Sequence, residues 1–212
     1  MMKHLKIIAI AAMTLIAATA AAQNTTAVDE ASFEFQFNNP VIKNAKAAAK
    51  VADFQDDVAD KLQHDRYNVQ LYRNNDVVMI NIPASHLFAP NDTVLSSQGK
   101  NELKPIAGYM KNPGFYKLIL MMHSDNSGND EYLFDLTGAR ITAIFDWLED
   151  KVASVDDIFP YYIGGTDPQV PNNSMKNREI NRRLEIYLVP GEVMVEQAKS
   201  GKININSRPK KK

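Results

Sequence analysis

Residues 123–140, HSDNSGNDEYLFDLTGAR, decide how the rest of the chain is read. They follow a wholly apolar run, Leu118 to Met122, which reads as a strand apolar on both faces and therefore central in a sheet. The stretch opens with an acid, Asp125, crosses a polar loop with Gly128, and ends on Arg140 inside a helical pattern. Leu133, Leu136, Ala143, Ile144, Trp147 and Leu148 give that pattern one packed stripe, predicting a helix from Asn129 to Lys151. A strand ending at Met122 delivers Asp125 to the rim of the sheet, and Arg140 falls about three turns into the helix, at roughly 1.5 Å per residue. A guanidinium in a helix that otherwise packs needs a partner or a ligand. Together the two residues suit an ammonium and a carboxylate held close together, as in an amino-acid zwitterion. Arginine can give a carboxylate two parallel hydrogen bonds, and an ionised aspartate only accepts. The same spacing also admits a loop-capping acid and a structural ion pair.

Outward from this core, alternating strands and helices predict an α/β (α+β) sandwich, with a small mixed sheet packed against two main helices plus an N-terminal helix. Val41 to His64 has an apolar stripe at helical spacing; it reads either as an extra layer or as a spacer that binds a partner. Arg66–Arg73 and Val77–Ile82 alternate like paired strands around Asn74-Asn75-Asp76. A second helix starts at Ser96 or Ser97, and Pro105 within it predicts a kink or restart. Asp157–Ile163 and Arg183–Val189 complete the strands, separated by a Pro- and Asn-rich loop at 166–173.

Residues 1–22, MMKHLKIIAIAAMTLIAATAAA, combine a basic start, a short apolar run and small residues at 20–22, the anatomy of a cleaved secretory signal. An uncleaved anchor is the competing reading. The expected organisation is a signal at 1–22, a tether and helix at 23–66, the main domain at 67–190 and a basic tail at 191–212 ending in RPKKK. The chain has 24 basic and 25 acidic residues; loss of Lys3 and Lys6 leaves 22 against 25. A near-neutral chain without a concentrated basic face is a poor nucleic-acid binder. The absence of cysteine excludes disulfides, thiolate metal sites and a cysteine nucleophile.

Catalysis finds little support. His123, Ser124 and Asp125 are adjacent on a strand and point to alternating faces, so they form no relay among themselves. No G-x-S-x-G elbow occurs. Asp125, Asp130, Glu131 and Asp135 lack the order of a calcium loop. The expectation is a binding protein without enzymatic activity, cofactor or metal.

Four blocks in order carry a resemblance. Ser124-Asp125-Asn126-Ser127-Gly128 and Leu136-Thr137-Gly138-Ala139-Arg140 follow a pattern T-D-x-x-G-x-x-x-x-N-x-x-L-S-x-x-R-A at the same spacing. Asn181-Arg182-Arg183-Leu184-Glu185-Ile186 resembles N-R-R-V-E-I, Gly165–Pro168 resembles G-x-x-x-P, and Leu87-Phe88 with Asn91-Asp92 resembles the loop after a first strand. The chain thus resembles the OmpA-like peptidoglycan-binding domain family (the OmpA C-terminal, peptidoglycan-associated lipoprotein and MotB type) over about 77–190. The resemblance implies non-covalent binding of peptidoglycan through the diaminopimelate of its stem peptide. Asp125 would take the ammonium and Arg140 the carboxylate. Arg182 and Arg183 would border the site, and backbone near Asn91 and Asp92 would close it. Leu133 stands where the family has Asn, which removes a polar contact or leaves it to backbone. It also implies a Gram-negative periplasmic protein at the cell wall; an outer-membrane protein would be a partner for the N-terminal helix. An envelope-assembly protein acting through its N-terminal helix, with a degenerate wall site, is the alternative.

Overall fold

The computed structural model describes residues 42–205 and the backbone of Ile8–Ala9. The tether expected at 23–39 lies outside the described residues, as does the signal apart from those two. Five strands form one sheet: β1 (Asn68–Tyr72), β2 (Val77–Pro83), β3 (Tyr116–His123), β4 (Ile158–Gly164) and β5 (Arg183–Pro190). Their order across the sheet is β4-β3-β5-β2-β1. β3 and β4 run parallel, and the other neighbours are antiparallel. Ile8–Ala9 adds a two-residue parallel rung along Tyr161–Tyr162.

The apolar run 118–122 is central, as its two-sided apolarity required. Leu118, Leu120 and Met122 face a core completed by helices, while Ile119 belongs to a smaller cluster of strand residues on the other face. The helices are α1 (Ala45–His64), α2 (Ala84–Leu87), α3 (Ser97–Tyr109), α4 (Asp130–Glu149), α5 (Met175–Asn181) and α6 (Glu192–Ser200). Side chains of α1, α3, α4 and α6 fill that single core. Among the described residues no helix is long and apolar enough to cross a membrane.

Of three local outcomes, the hairpin follows the sequence reading and the other two differ from it. The hairpin turn holds Arg73, Asn74 and Asn75 all at positive φ, a conformation Asn tolerates better than most residues, and Arg73 is tied to Asp76 by a buried salt bridge at 2.8 Å. α3 runs through Pro105 without interruption. Pro105 and Asn101, whose carbonyl loses its helical donor, are both exposed, so water can satisfy the loss. Residues 192–200, expected within the basic tail, form α6 because Met194 and Ala198 bury an apolar face against the core.

α1 is a layer of the domain. Its buried Gln55 donates from Nε2 to the carbonyls of Asp76 (2.9 Å) and Leu188 (3.1 Å) and accepts from the Tyr116 hydroxyl at 2.8 Å. A polar residue among Ala47, Val51, Val58 and Leu62 thus fastens the helix to the sheet.

Candidate functional site: a cleft between Asp125 and Arg140

β3 and the turn after it position the acid. At the end of the strand the register against β4 shifts between Met122 and His123, an irregularity that re-aims the chain just before Asp125. The Ser124 amide donates to the Gly164 carbonyl at 2.7 Å, fixing the two loops together. Gly165 lies so close that an added Cβ would stand 2.5 Å from the Asp125 carbonyl oxygen. Only a residue without a side chain fits there.

Asp125 is buried, and its two oxygens have different partners. Oδ1 accepts from the Ser127 amide at 2.8 Å and from the Ser127 hydroxyl. Oδ2 accepts from Nη1 of Arg182. Burial pushes the carboxyl up, but the Ser127 bonds and the Arg182 charge outweigh it and hold the group below its ordinary range.

α4 positions the base. Its N-terminus is capped by Asn129, whose Oδ1 accepts from the Tyr132 amide at 2.8 Å, and Asp130 and Glu131 suit the positive end of the helix. Arg140 is 4% exposed on this helix. Its Nε donates to the Asp92 carbonyl at 2.8 Å and its Nη2 to the Ala89 carbonyl at 3.3 Å. Its guanidinium lies 5.0 Å from the centroid of the Phe88 ring, a cation–π contact. It forms no ion pair with a carboxylate among the described residues. Burial lowers its affinity for the proton, nearby Tyr132 and Asp92 oppose that, and Arg182 adds repulsion.

Both residues line one cleft of about 540 Å³, with Phe88, Asn91, Leu133 and Arg182 among its walls. Asn91 adopts a left-handed φ of 55°, and the Asp92 carboxylate closes the turn by accepting from the amides of Thr93 (2.7 Å) and Val94 (3.0 Å). Asp92 therefore contributes its carbonyl to Arg140, while its carboxylate serves the loop. Leu133 supplies an apolar wall where a polar contact was in question.

Arg183 does not join the site. The strand alternation turns it to the opposite face of the sheet from Leu184, where its Nε donates to Glu185 at 2.7 Å and its Nη2 lies 3.7 Å from Asp167. Next to it, His123 is fully buried, with its ring nitrogens 3.5 Å from Glu185 and 3.7 Å from Asp167. This cluster braces the 165–174 loop from behind. The sequence reading missed Phe88, Ser127 and Tyr132 as cleft residues. Ser127, two positions after an aspartate, carried an Asx-turn signal that could have found it.

An open sheet covered by helices on one face, with a buried acid and a buried arginine in one cleft at the strand ends, defines an α/β-sandwich domain equipped for a small charged ligand. Residues 87–182 match the model of the OmpA family. No curated protein matches the chain. Among solved structures it is similar to a MotB-like protein from Desulfovibrio vulgaris, with a TM-score of 0.59, 15% identity, and coverage of 67% of this chain and 98% of the other. It is also similar to the cell wall anchor of the T6SS from Pseudomonas aeruginosa, with a TM-score of 0.52, 24% identity, and coverage of 63% and 94%. At these identities the likeness establishes the shared fold.

Proposed function

We propose that this protein binds peptidoglycan non-covalently, through the diaminopimelate of the stem peptide, and tethers the cell envelope to the wall without catalysing a reaction. The observation that carries this reading is the pairing of a buried carboxylate with a buried guanidinium, lacking an acid partner among the described residues, across one cleft. Asp125 would accept from the free ammonium, and the remaining Arg140 N–H groups would hold the adjacent carboxylate. The OmpA-family match and the similarity to a cell wall anchor support the same reading. The expected setting is the periplasm of a Gram-negative envelope, after export by the N-terminal signal. Against the alternative of an assembly protein working through its N-terminal helix stands the use of that helix: its apolar stripe is buried in the domain's own core.

Co-sedimentation with purified diaminopimelate-type sacculi tests the reading. Wild type is expected in the pellet. Asp125→Ala and Arg140→Ala, checked for folding by circular dichroism, are expected in the supernatant. Wild type remaining in the supernatant at low salt would overturn it.

A further inference from the structure

The Asp125 oxygen best placed for a ligand ammonium is already engaged. Both bonds to Oδ1 come from Ser127 in the same turn, whereas Oδ2 is held by Arg182, which arrives from a different element. The Asp125 side chain is 3% exposed and that of Arg182 is 39% exposed, so the guanidinium lies over the carboxylate from the solvent side.

The backbone of Arg182 is fixed. It closes α5 by donating to the Arg178 carbonyl at 3.1 Å, and its own carbonyl accepts from the Ala84 amide at 2.9 Å. The side chain is therefore the part free to reorient. Arg182 also repels Arg140, so the two cations share one electrostatic environment. The Asp92 carboxylate lies near Arg140, so the cation left uncompensated when Asp125 turns to a ligand is Arg182. An ammonium brought to Oδ2 meets that charge directly, and a simple zwitterion brings nothing that neutralises it. A ligand with one further carboxylate does.

Resting on the peptidoglycan reading, we infer that Arg182 determines specificity: it yields Oδ2 to the ligand ammonium when a second ligand carboxylate takes over its guanidinium. The cleft therefore selects stem peptides that keep a free carboxylate beside the zwitterion over stems amidated there. Arg182 is the residue that reads the difference, because Arg140 is engaged with the first carboxylate and with the carbonyls of Asp92 and Ala89.

The test is calorimetric titration of the mature chain with two tripeptides. One is L-Ala-γ-D-Glu-meso-diaminopimelate with the carboxyl on the peptide-linked carbon of diaminopimelate capped as an amide, so that the glutamate α-carboxyl is the one carboxylate outside the zwitterion; the other is the same peptide with that glutamate α-carboxyl amidated as well. At low salt, wild type should bind the free acid roughly tenfold more tightly, the size of one charge-assisted contact at a partly exposed site. Arg182→Gln should bind both forms equally, and the amidated form at least as well as wild type does, since the competitor for Oδ2 is gone. Arg182→Lys should restore part of the preference. A merely structural role for Arg182 would instead weaken both peptides alike in Arg182→Gln. That result, or equal binding of the two peptides by wild type, overturns the inference and leaves the peptidoglycan reading standing. Binding of neither peptide also overturns it. Sedimentation of wild type with sacculi then shows whether the wider reading falls as well.

Discussion

Arg140 organises the loop that faces it: its Nε–H donates to the Asp92 carbonyl at 2.8 Å while its guanidinium lies 5.0 Å from the centre of the Phe88 ring. One side chain thus joins the middle of α4 to the loop between α2 and α3. Arg140→Met keeps the length and the apolar stem but leaves two carbonyls without their donor. We expect a stability loss of about 1–3 kcal/mol by urea denaturation, from those unsatisfied acceptors. Wall binding should be lost in sedimentation even at protein concentrations where the variant is fully folded.

The pH dependence of binding follows from Asp125. Its folded carboxyl sits below the ordinary aspartate range, because Ser127 and Arg182 outweigh burial. Stability linked to this group is present above the unfolded pKa and lost as pH falls through the folded one. Binding should follow the same ionisation. Sedimentation with sacculi is expected to hold level from neutral pH down to about 4, near the unperturbed aspartate value, and to fail below it. Arg182→Gln should move that acid limit upward.

Behind the site, Glu185 is a second acid with a depressed pKa. Burial pushes it up, but His123, Arg183 and the Tyr187 hydroxyl together hold it far below the ordinary glutamate value of 4.5. Its stabilising contribution is present above that value and disappears on acidification beneath it. Glu185→Gln breaks a buried ion pair and should cost about 3–5 kcal/mol at neutral pH. Between pH 4.5 and lower values its stability should decline less steeply than that of wild type. Chemical denaturation across a pH series measures both effects.

Gly165→Ala probes the contact between the two loops. The new methyl would sit 2.5 Å from the Asp125 carbonyl oxygen and 3.0 Å from a Leu133 methyl, so the Asp125 turn must move. Overpacking of this kind costs about 1–3 kcal/mol. Wall binding should weaken more than stability, because the displaced residue is the proposed ammonium acceptor. Comparing the binding isotherm with the denaturation midpoint separates the two.

For α1 the relevant variant is Gln55→Leu. It preserves volume but strips the Tyr116 hydroxyl and the Asp76 and Leu188 carbonyls of their partner. The expected loss is about 1–3 kcal/mol for buried groups left unsatisfied. Thermal unfolding should remain a single transition, with α1 melting together with the sheet.

Much of this architecture was readable from pattern. The apolar run before Asp125 fixed a central strand, and the stripe from Leu133 to Leu148 fixed the helix that carries Arg140. Their spacing brought the acid and the base to one end of the sheet. What escaped reading depended on long-range partners. Gln55 looks like a solvated helix residue until its three partners, at 76, 116 and 188, are in place. Arg182 and Arg183 are adjacent in sequence and were grouped together, yet only the first reaches the cleft, because the strand begins between them and sends the second to the other face. α6 was hidden because two buried side chains, Met194 and Ala198, sufficed to fold a nine-residue helix against the domain.

The placement of the chain exits has a mechanical consequence. Lys50, in the first turns of α1, donates to the Gly201 carbonyl at 2.9 Å, and the Asn112 amide reaches the Ile205 carbonyl at 3.3 Å. The α1–α6 pair therefore lies beside the start of β3, while the cleft lies beyond its other end. A pull between a ligand in the cleft and the segment that follows α6 would run along β3 and β5, not across them. Tension in that direction loads the rungs from Tyr116↔Pro190 to Met122↔Leu184 together in shear, whereas a pull across the strands would open them one at a time like a zipper. Under the proposed wall-binding role, the sheet that positions Asp125 lies along the line of load.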